Sequence, residues 1–212
     1  MSLNRRFAAF EDMDGHILKS KFALKHGQNG EAYPKIGGKV PMWYVMQVRT
    51  GTEENIRCQC QRMISSEVLH RCFIPYYQQK KRFQGEWHIQ EKILFPGYVF
   101  LIAENPEQLI NSFKNIVGLT KMIGIGDEIV PLSQEEVNLL MRMGKDNQLV
   151  EMSSGIIKDN RLQILSGPLQ GMEDSIRRID RHKRVAYLEV EMFGRTVEMK
   201  AGLEIIKKEQ KK

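Results

Sequence analysis

The sequence predicts an α+β protein in which an antiparallel sheet with packed helices is joined by a linker to a small β-barrel. Residues 42–144 alternate strand-like and helix-like segments, as expected for helices packed on a mainly antiparallel sheet. Residues 155–212 contain short alternating segments separated by turn residues, which is typical of a strongly bent barrel. Residues 145–154 have neither period and form the predicted linker. Residues 1–41 carry clusters of Gly, Lys, Asn and Gln, so we expect a mostly disordered arm there.

The first folded part begins with MWYVMQVR, a strand-like run rich in aromatic and β-branched residues. A helix follows, because Thr50 and Glu53 have the spacing of a capping box and later apolar residues recur at helical spacing. The segment RCFIPYY predicts a second strand that is interrupted at Pro75. The segment QQKKRFQGEWHIQEKI predicts an exposed hairpin that turns near Gln84 and Gly85.

The next run, LFPGYVFLI, predicts a turn that leads into an apolar central strand. Asn105 and Pro106 then mark the start of a second helix, because proline is favoured at the first helical position. GLTKMIG predicts a short strand. SQEEVNLLMRMG predicts a third helix, which Ser133 caps together with Glu136 three residues later.

The C-terminal part predicts five strands, RLQIL, SIRRI, RVAYLEVEM, TVEMK and LEII, with turns at GPLQG, DRHK, FGR and AG. Side chains at alternate positions of a strand share a face. Ala186, Leu188, Val190 and Met192 are therefore expected to face the barrel interior.

The composition is that of a globular protein outside the membrane. Of 212 residues, 42% are hydrophobic and 27% are charged, and no apolar run approaches the roughly 20 residues that span a bilayer. The first residues, MSLNRRFAAFEDMDGH, lack the continuous apolar stretch of a secretory signal. Three cysteines, an odd and small number, fit a reducing compartment better than a disulfide framework. We therefore expect a cytoplasmic protein with no membrane segment.

The net charge of +6 is unevenly distributed: residues 1–41 contribute +3, residues 42–154 contribute −1 and residues 155–212 contribute +4. Such asymmetry is typical of a nucleic-acid-binding segment attached to a protein-binding module. A surplus of this size is also common on solvated surfaces, so charge alone leaves both interpretations open.

Enzyme signatures are missing from the sequence. It contains no GxxxxGK[ST], HExxH or GxSxG motif, and its five histidines are not assembled with carboxylates or thiols by spacing. Cys58 and Cys60 lie two apart in a predicted helix and so point to different faces, which does not favour a metal site. We therefore expect neither an enzyme nor a bound metal or cofactor.

Several linked motifs resemble the NusG family of transcription elongation factors. WYVMQVRTGTEEN, KILFPGYVFL, GLTKMIG and PLSQEEV resemble its N-terminal domain, called NGN. SGPLQGMEDSIRRIDRHKR and EMFGR resemble its C-terminal KOW domain, which is an SH3-like barrel. The motifs occur in order over roughly residues 42–208, which makes the combination far more specific than any one of them. The resemblance implies an NGN-like domain over residues 42–144 and a KOW domain over residues 155–212.

The resemblance also implies that an apolar surface of the N-terminal domain binds the clamp helices of the largest RNA polymerase subunit. We expect a monomer that is associated with the nucleoid during transcription. The residues that match the family's clamp-contacting patch are Phe95, Pro96, Tyr98 and Phe100, with Tyr44 and Pro75 as weaker neighbours. Tyr98 and Phe100 share one face of a strand. Without the family resemblance, these two rings could equally be part of the core of the sheet, because aromatic side chains are usually buried.

A second candidate site is a basic cluster in the predicted KOW domain. Six basic or potentially basic residues fall within eight positions, on a strand and the turn after it: Arg177, Arg178, Arg181, His182, Lys183 and Arg184. Arginine grips phosphate with its planar fork and stacks on unpaired bases, so the cluster is a candidate for contact with nascent RNA. The alternative is a solvated hairpin whose charge keeps the domain soluble.

The basic IDRHKR block and the GLEI ending are similar to the LoaP group of specialised antiterminators within the family. This similarity implies processive antitermination of particular operons, with a KOW domain that recognises the nascent transcript. One alternative is a general NusG-type factor whose KOW domain binds the termination factor Rho or a ribosomal protein. The other is a KOW-containing RNA-binding protein that does not contact polymerase.

Two further motifs have simpler interpretations. Gly167 and Gly171 in GPLQG resemble the glycine that defines the KOW motif, and glycines beside such a turn usually permit positive φ. Lys80, Lys81 and Arg82 on the predicted hairpin are candidates for contact with upstream or non-template DNA, although a charged hairpin arm is more often simply solvated.

Overall fold

The computed structural model describes residues 41–125 and 128–209, so residues 1–40 of the predicted arm lie outside the described part of the chain. The helices are α1 (Glu53–Met63), α2 (Pro106–Ser112) and α3 (Gln134–Gly144). The strands of the first part are β1 (Met42–Val48), β2 (Arg71–Phe73), β3 (Tyr76–Phe83), β4 (Glu86–Ile93), β5 (Tyr98–Ala103), β6 (Leu119–Met122), β7 (Gly124–Ile125), β8 (Glu128–Ile129) and β9 (Leu149–Val150). The later strands are β10 (Ser153–Lys158), β11 (Arg161–Ser166), β12 (Ile176–Asp180), β13 (Val185–Met192) and β14 (Arg195–Glu209).

A four-stranded sheet in the order β2–β5–β1–β6 forms the centre of the first part. β1 and β5 pair antiparallel from Met42 opposite Ala103 to Gln47 opposite Tyr98. β5 is therefore the interior strand that the apolar LFPGYVFLI run predicts. This sheet and the helices around it confirm the predicted α+β class.

The two faces of this sheet are covered differently, and the alternation of side chains along each strand decides which residue belongs to which face. Tyr44 and Leu101 are paired across β1 and β5 and lie in the buried cluster that includes Ile56 of α1. Trp43 and Phe100 occupy the neighbouring positions of the same strands and therefore face the other way. On that second face both side chains contact the ring of Phe73.

Two helix starts follow the sequence closely. The side chain of Asn105 accepts hydrogen bonds from the backbone N–H groups of Glu107 and Gln108. Ser133 and Glu136 form the predicted capping box, in which each side chain accepts from the backbone N–H of the other residue. Both predicted N-termini are confirmed.

The capping box predicted between Thr50 and Glu53 is wrong. The residue before α1 is Thr52, and its side chain makes no capping hydrogen bond. The carboxylate of Glu53, which is 1% exposed, instead accepts from the backbone N–H of Gly51 at 2.7 Å and of Gly97 at 2.7 Å. The reason is that a buried carboxylate needs strong donors, and two turns supply them here.

The predicted hairpin is confirmed. β3 and β4 pair antiparallel from Tyr76 opposite Ile93 to Phe83 opposite Glu86. Gln84 has φ of 50° and Gly85 has φ of 89°, as a two-residue turn between twisted strands requires. Every residue of β4 except Ile93 is exposed.

The second part is a five-stranded sheet in the order β11–β10–β14–β13–β12. The expected barrel closure is not seen, because within the described residues no pairing joins the edge strands β11 and β12. The expected inward face is confirmed, since Ala186, Leu188, Val190 and Met192 are all buried.

Two strands of this sheet differ from the sequence prediction. TVEMK and LEII form the single strand β14, because Ala201 and Gly202 continue the pairing with β13 where a turn was predicted. β10, which the sequence analysis did not identify, pairs with both β11 and β14. Its sequence, SSGIIK, has only two large apolar residues, and they are adjacent, so it lacks the alternation that identifies half-buried strands.

The predicted linker, residues 145–154, is not an independent tether. It contains β9, which pairs parallel to β3, and the first two residues of β10. Val150 is fully buried, and the carbonyl of Gln148 accepts from the N–H of Tyr76 at 2.9 Å. All described residues fall within one compact unit. Among the helices that the structure describes, none has the length and apolar character needed to cross a membrane.

Candidate functional site: an aromatic surface and a basic turn

Three aromatic side chains of the first part form one surface, which we call the aromatic surface: Phe95, Tyr98 and Phe100. Phe193, from the turn between β13 and β14, is inserted among them. Its ring centroid lies 4.5 Å from that of Tyr98 in a stacked arrangement with 16° between the planes. It lies 5.5 Å from the ring of Phe95 and 6.1 Å from that of Phe100. The second part of the chain therefore covers this surface, mainly through the Phe193 ring.

Polar contacts hold the Phe193 turn in place. The carboxylate of Glu136, which also caps α3, accepts from the backbone N–H of Phe193 at 2.5 Å. A guanidinium N–H of Arg195 donates to the Tyr98 hydroxyl at 2.7 Å. These bonds anchor both sides of the turn to the first part of the chain.

The backbone of this turn has positive φ at both of its central residues. Phe193 has φ of 60° and Gly194 has φ of 67°. A two-residue turn between twisted antiparallel strands requires such angles, as at Gln84 and Gly85. The tight turn therefore places the Phe193 ring at the end of the β13–β14 hairpin, where it reaches the aromatic surface.

The structure brings together three of the six residues predicted to bind polymerase. Tyr98 is half-buried against Phe193, whereas Phe95 is 4% exposed and Phe100 is fully buried. Pro96 is exposed in the turn before β5. Tyr44 does not join them, because it lies on the helix-covered face of the sheet, where burial raises the pKa of its phenol.

Pro75, the last of the six, is buried at the break between β2 and β3, where its carbonyl accepts from the N–H of Leu94 at 2.8 Å.

Three residues that contact or form the Phe193 turn were not predicted from the sequence: Phe193, Glu136 and Arg195. A bulky phenylalanine in the predicted turn FGR was the one sequence feature that could have indicated a contact there. The sequence did not show what this turn contacts, because Arg195 and Tyr98 are 97 positions apart.

Glu53 fixes the turn that carries the aromatic surface. Replacing Glu53 by glutamine is expected to lower the free energy of unfolding by about 2 kcal/mol. Each carboxylate oxygen of Glu53 accepts from a different backbone N–H, that of Gly51 or that of Gly97. The side-chain NH₂ of glutamine is a donor, so it would face one of these N–H groups without forming a hydrogen bond. Urea unfolding followed by circular dichroism measures the change. Glu67, which is exposed, provides the matched control, and Glu67→Gln is expected to change stability by less than about 0.5 kcal/mol.

The basic residues of the second part fall into two groups. Three are engaged within their own sheet: Arg177 pairs with Glu189 at 2.7 Å, and the Arg178 guanidinium lies 3.7 Å from the ring centroid of Tyr187. Lys183 contacts Asp180, and the hydrogen bond from its backbone N–H holds the pKa of Asp180 below its usual value.

The second group comprises Arg181 and His182, which are exposed in the turn, and Arg184, which faces the first part of the chain. Arg184 pairs with Glu204 at 2.8 Å, and its guanidinium lies 3.4 Å from the ring centroid of Trp87 on β4. The six predicted residues are therefore close in the fold, but among the described residues of this cluster only Arg181 and His182 have side chains that make no ion pair or ring contact.

The turn between β12 and β13, residues 181–184, which we call the basic turn, packs against the β3–β4 hairpin. The amide of Gln79 donates to the carbonyl of Lys183 at 3.1 Å, and Lys80 pairs with Glu204 at 2.5 Å. A Cβ added at Gly202 would lie 2.3 Å from the carbonyl oxygen of Gln78, so only glycine permits this approach of β14 to β3. The hairpin and the basic turn consequently form one continuous surface.

Gly167 and Gly171 serve the backbone, as their motif predicts. Their φ angles are 96° and 73°. A Cβ on Gly167 would lie 2.6 Å from the Cα of Ser153. Within the described ranges, no group of three or more His, Cys, Asp or Glu residues is arranged to hold a metal ion.

Comparison with known proteins finds similarity to one family. Residues 41–141 match the family model described as Transcription termination factor nusG. The chain is 24% identical over 161 residues to the transcription termination/antitermination protein NusG of Bacillus subtilis (strain 168), covering 72% of this chain and 90% of the relative. It is 25% identical over 179 residues to the protein of the same name from Borreliella burgdorferi, covering 78% of this chain and 97% of the relative.

The solved structure "Domain interaction in Thermotoga maritima NusG" has a similar fold, with a TM-score of 0.52 at 21% identity, and the match covers 78% of this chain and 94% of that chain. The fold and the family model show that residues 41–141 form a NusG-type domain. The relatives that the chain resembles are transcription termination/antitermination proteins, which are transcription factors and not enzymes.

Proposed function

We propose that the chain binds RNA polymerase through its aromatic surface and promotes processive antitermination of particular operons, while its basic turn contacts the nascent RNA. The docking site on the polymerase is the pair of clamp helices of the largest subunit. The arrangement described above is then a closed form, in which Phe193 occupies the position of the polymerase.

The observation that carries this proposal is the insertion of Phe193 among Phe95, Tyr98 and Phe100. Rings that accept an aromatic side chain from a separate part of the chain form a surface that binds apolar groups. Withdrawal of the turn would expose a contiguous aromatic patch, and such patches mark sites of protein interaction.

The basic turn supports the RNA contact. Arg181 and His182 are exposed, and Lys183 is 67% exposed at its side chain although it contacts Asp180. Phosphate contacts by such residues release counterions, so the affinity for RNA is expected to fall steeply as salt rises. The basic IDRHKR block supports this proposal over a general factor whose KOW domain binds Rho or a ribosomal protein.

In vitro transcription through a terminator tests the proposal. On templates taken from neighbouring genes, the full chain is expected to increase read-through several-fold. An unrelated terminator template is the matched control, because an operon-specific factor acts only where its recognition element is transcribed. Equal termination with and without the protein on every template would contradict the proposal.

A further inference from the structure

The β3–β4 hairpin exposes apolar side chains that neither the aromatic surface nor the basic turn accounts for. Phe83 is 61% exposed, Trp87 is 42% exposed and Ile89 is 56% exposed. Large aromatic groups on an open edge strand promote aggregation unless they serve a binding partner. Phe83 and His88 also contact each other edge to face, with ring centroids 6.4 Å apart.

Trp87 is held in a defined orientation by the second part of the chain. The Arg184 guanidinium lies 3.4 Å from the centroid of its ring, so it covers one face of the indole. Glu204 pairs with both Arg184 and Lys80, which fixes the guanidinium between the two sheets. Trp87 is still 42% exposed with Arg184 in place, so part of the ring is accessible to a ligand.

The residues around Trp87 carry an excess of positive charge, which favours a negatively charged ligand. Residues 76–93 contain four Lys or Arg and two Glu, and residues 176–184 contain five Lys or Arg and one Asp. Arg82 lies directly across from Trp87 in the hairpin, so its side chain is on the same face as the indole. Arg181 and His182 extend from the adjacent turn. An aromatic ring surrounded by cations complements a chain of phosphates that carries unpaired bases.

We infer that Trp87 and Arg184 form a stacking platform for an unpaired base of single-stranded RNA, with Arg82 and the basic turn contacting the flanking phosphates. The inference rests on the RNA contact proposed above and extends it from the basic turn onto the hairpin. An acidic peptide would also meet the cations, but it would not use the open indole face. Because Trp87 lies on β4 and Arg184 lies next to β13, the platform forms only when the hairpin and the second part of the chain are in contact.

The two tryptophans of the chain make the test direct. Trp43 is 2% exposed, so stacking of a base can quench only Trp87. Titration of the full chain at low salt with a short oligouridine strand is expected to quench its tryptophan fluorescence. A fully paired RNA duplex is expected to leave the fluorescence unchanged because its bases are not available. Trp87→Phe serves as the spectroscopic reference, since only Trp43 then emits.

Affinity for the same oligouridine strand provides the second measurement. Trp87→Ala is expected to weaken binding about tenfold, as removal of an aromatic stacking partner usually does. Ile89→Ala is the matched control, because Ile89 is an exposed apolar residue of the same strand without a ring, and it is expected to have no effect.

Three outcomes would overturn the inference. The first is oligouridine binding that neither quenches Trp87 nor depends on it, which would leave the RNA contact of the basic turn intact. The second is no binding of oligouridine at low salt; the transcription assay then decides the proposed function independently. The third is tighter binding of an oligodeoxythymidine strand of equal length, which would assign the platform to DNA.

Discussion

Replacing Phe193 by alanine is expected to raise the affinity of the chain for core RNA polymerase roughly tenfold. The substitution removes the ring that lies among Phe95, Tyr98 and Phe100. Loss of a partly buried aromatic contact favours the open form by about 1 to 2 kcal/mol. Apparent affinity rises with the fraction of molecules in the binding-competent form. Titration of labelled core polymerase with each variant measures the change.

Phe83→Ala is the matched control for this experiment. Phe83 is an exposed phenylalanine at the end of β3, beside a two-residue hairpin turn, but no ring of the aromatic surface contacts it. Its removal is expected to leave polymerase affinity unchanged. Equal affinities of Phe193→Ala and the unmodified chain would show that the turn does not compete with polymerase.

In the Phe193→Ala background, replacing Tyr98 by alanine is expected to weaken polymerase binding by about 2 kcal/mol, or roughly thirtyfold. Tyr98 stacks on Phe193 and accepts from Arg195, so in the unmodified chain its removal would both open the closed form and delete the anchor. These two effects have opposite signs. With Phe193 already removed, the loss of the anchor is measured separately.

Tyr98→Phe in the same background distinguishes the ring from the hydroxyl. It retains the aromatic face and loses only the hydrogen bond from Arg195, so polymerase binding is expected to persist. Circular dichroism verifies that each variant remains folded. If Tyr98→Ala bound as tightly as its Phe193→Ala parent, docking would have to occur elsewhere on the molecule.

Two sets of contacts join the first and second parts of the chain. The hairpin contacts the second part through Gln79 and Lys80, while Glu136 of α3 and Tyr98 of β5 contact the Phe193 turn. Under the proposed function, polymerase docking breaks the second set of contacts, whereas the inferred Trp87 platform requires the first set to persist. The Trp87 fluorescence of a polymerase-bound chain would therefore report whether the hairpin contact survives docking.

Local chemistry determined much of the fold. The capping box of Ser133 and Glu136 and the turn at Gln84 and Gly85 depend on residues close in sequence, and the structure confirms both. The prediction for Glu53 was wrong: its spacing from Thr50 predicts a capping box, but its carboxylate accepts from the N–H of Gly97 instead. A sequence pattern does not reveal a donor 44 positions away.

The sequence by itself determined which side chains share a face, where turns occur and which motifs resemble the NusG family, because these properties follow from periodicity and local backbone preference. Only the tertiary structure decided that Phe193 covers Tyr98, that Tyr44 faces the helices, and that Arg184 stacks on Trp87. The physical reason is that such contacts join residues far apart in the chain. They depend on how two sheets approach each other, as at Gly202, and that approach is set by packing of the whole molecule.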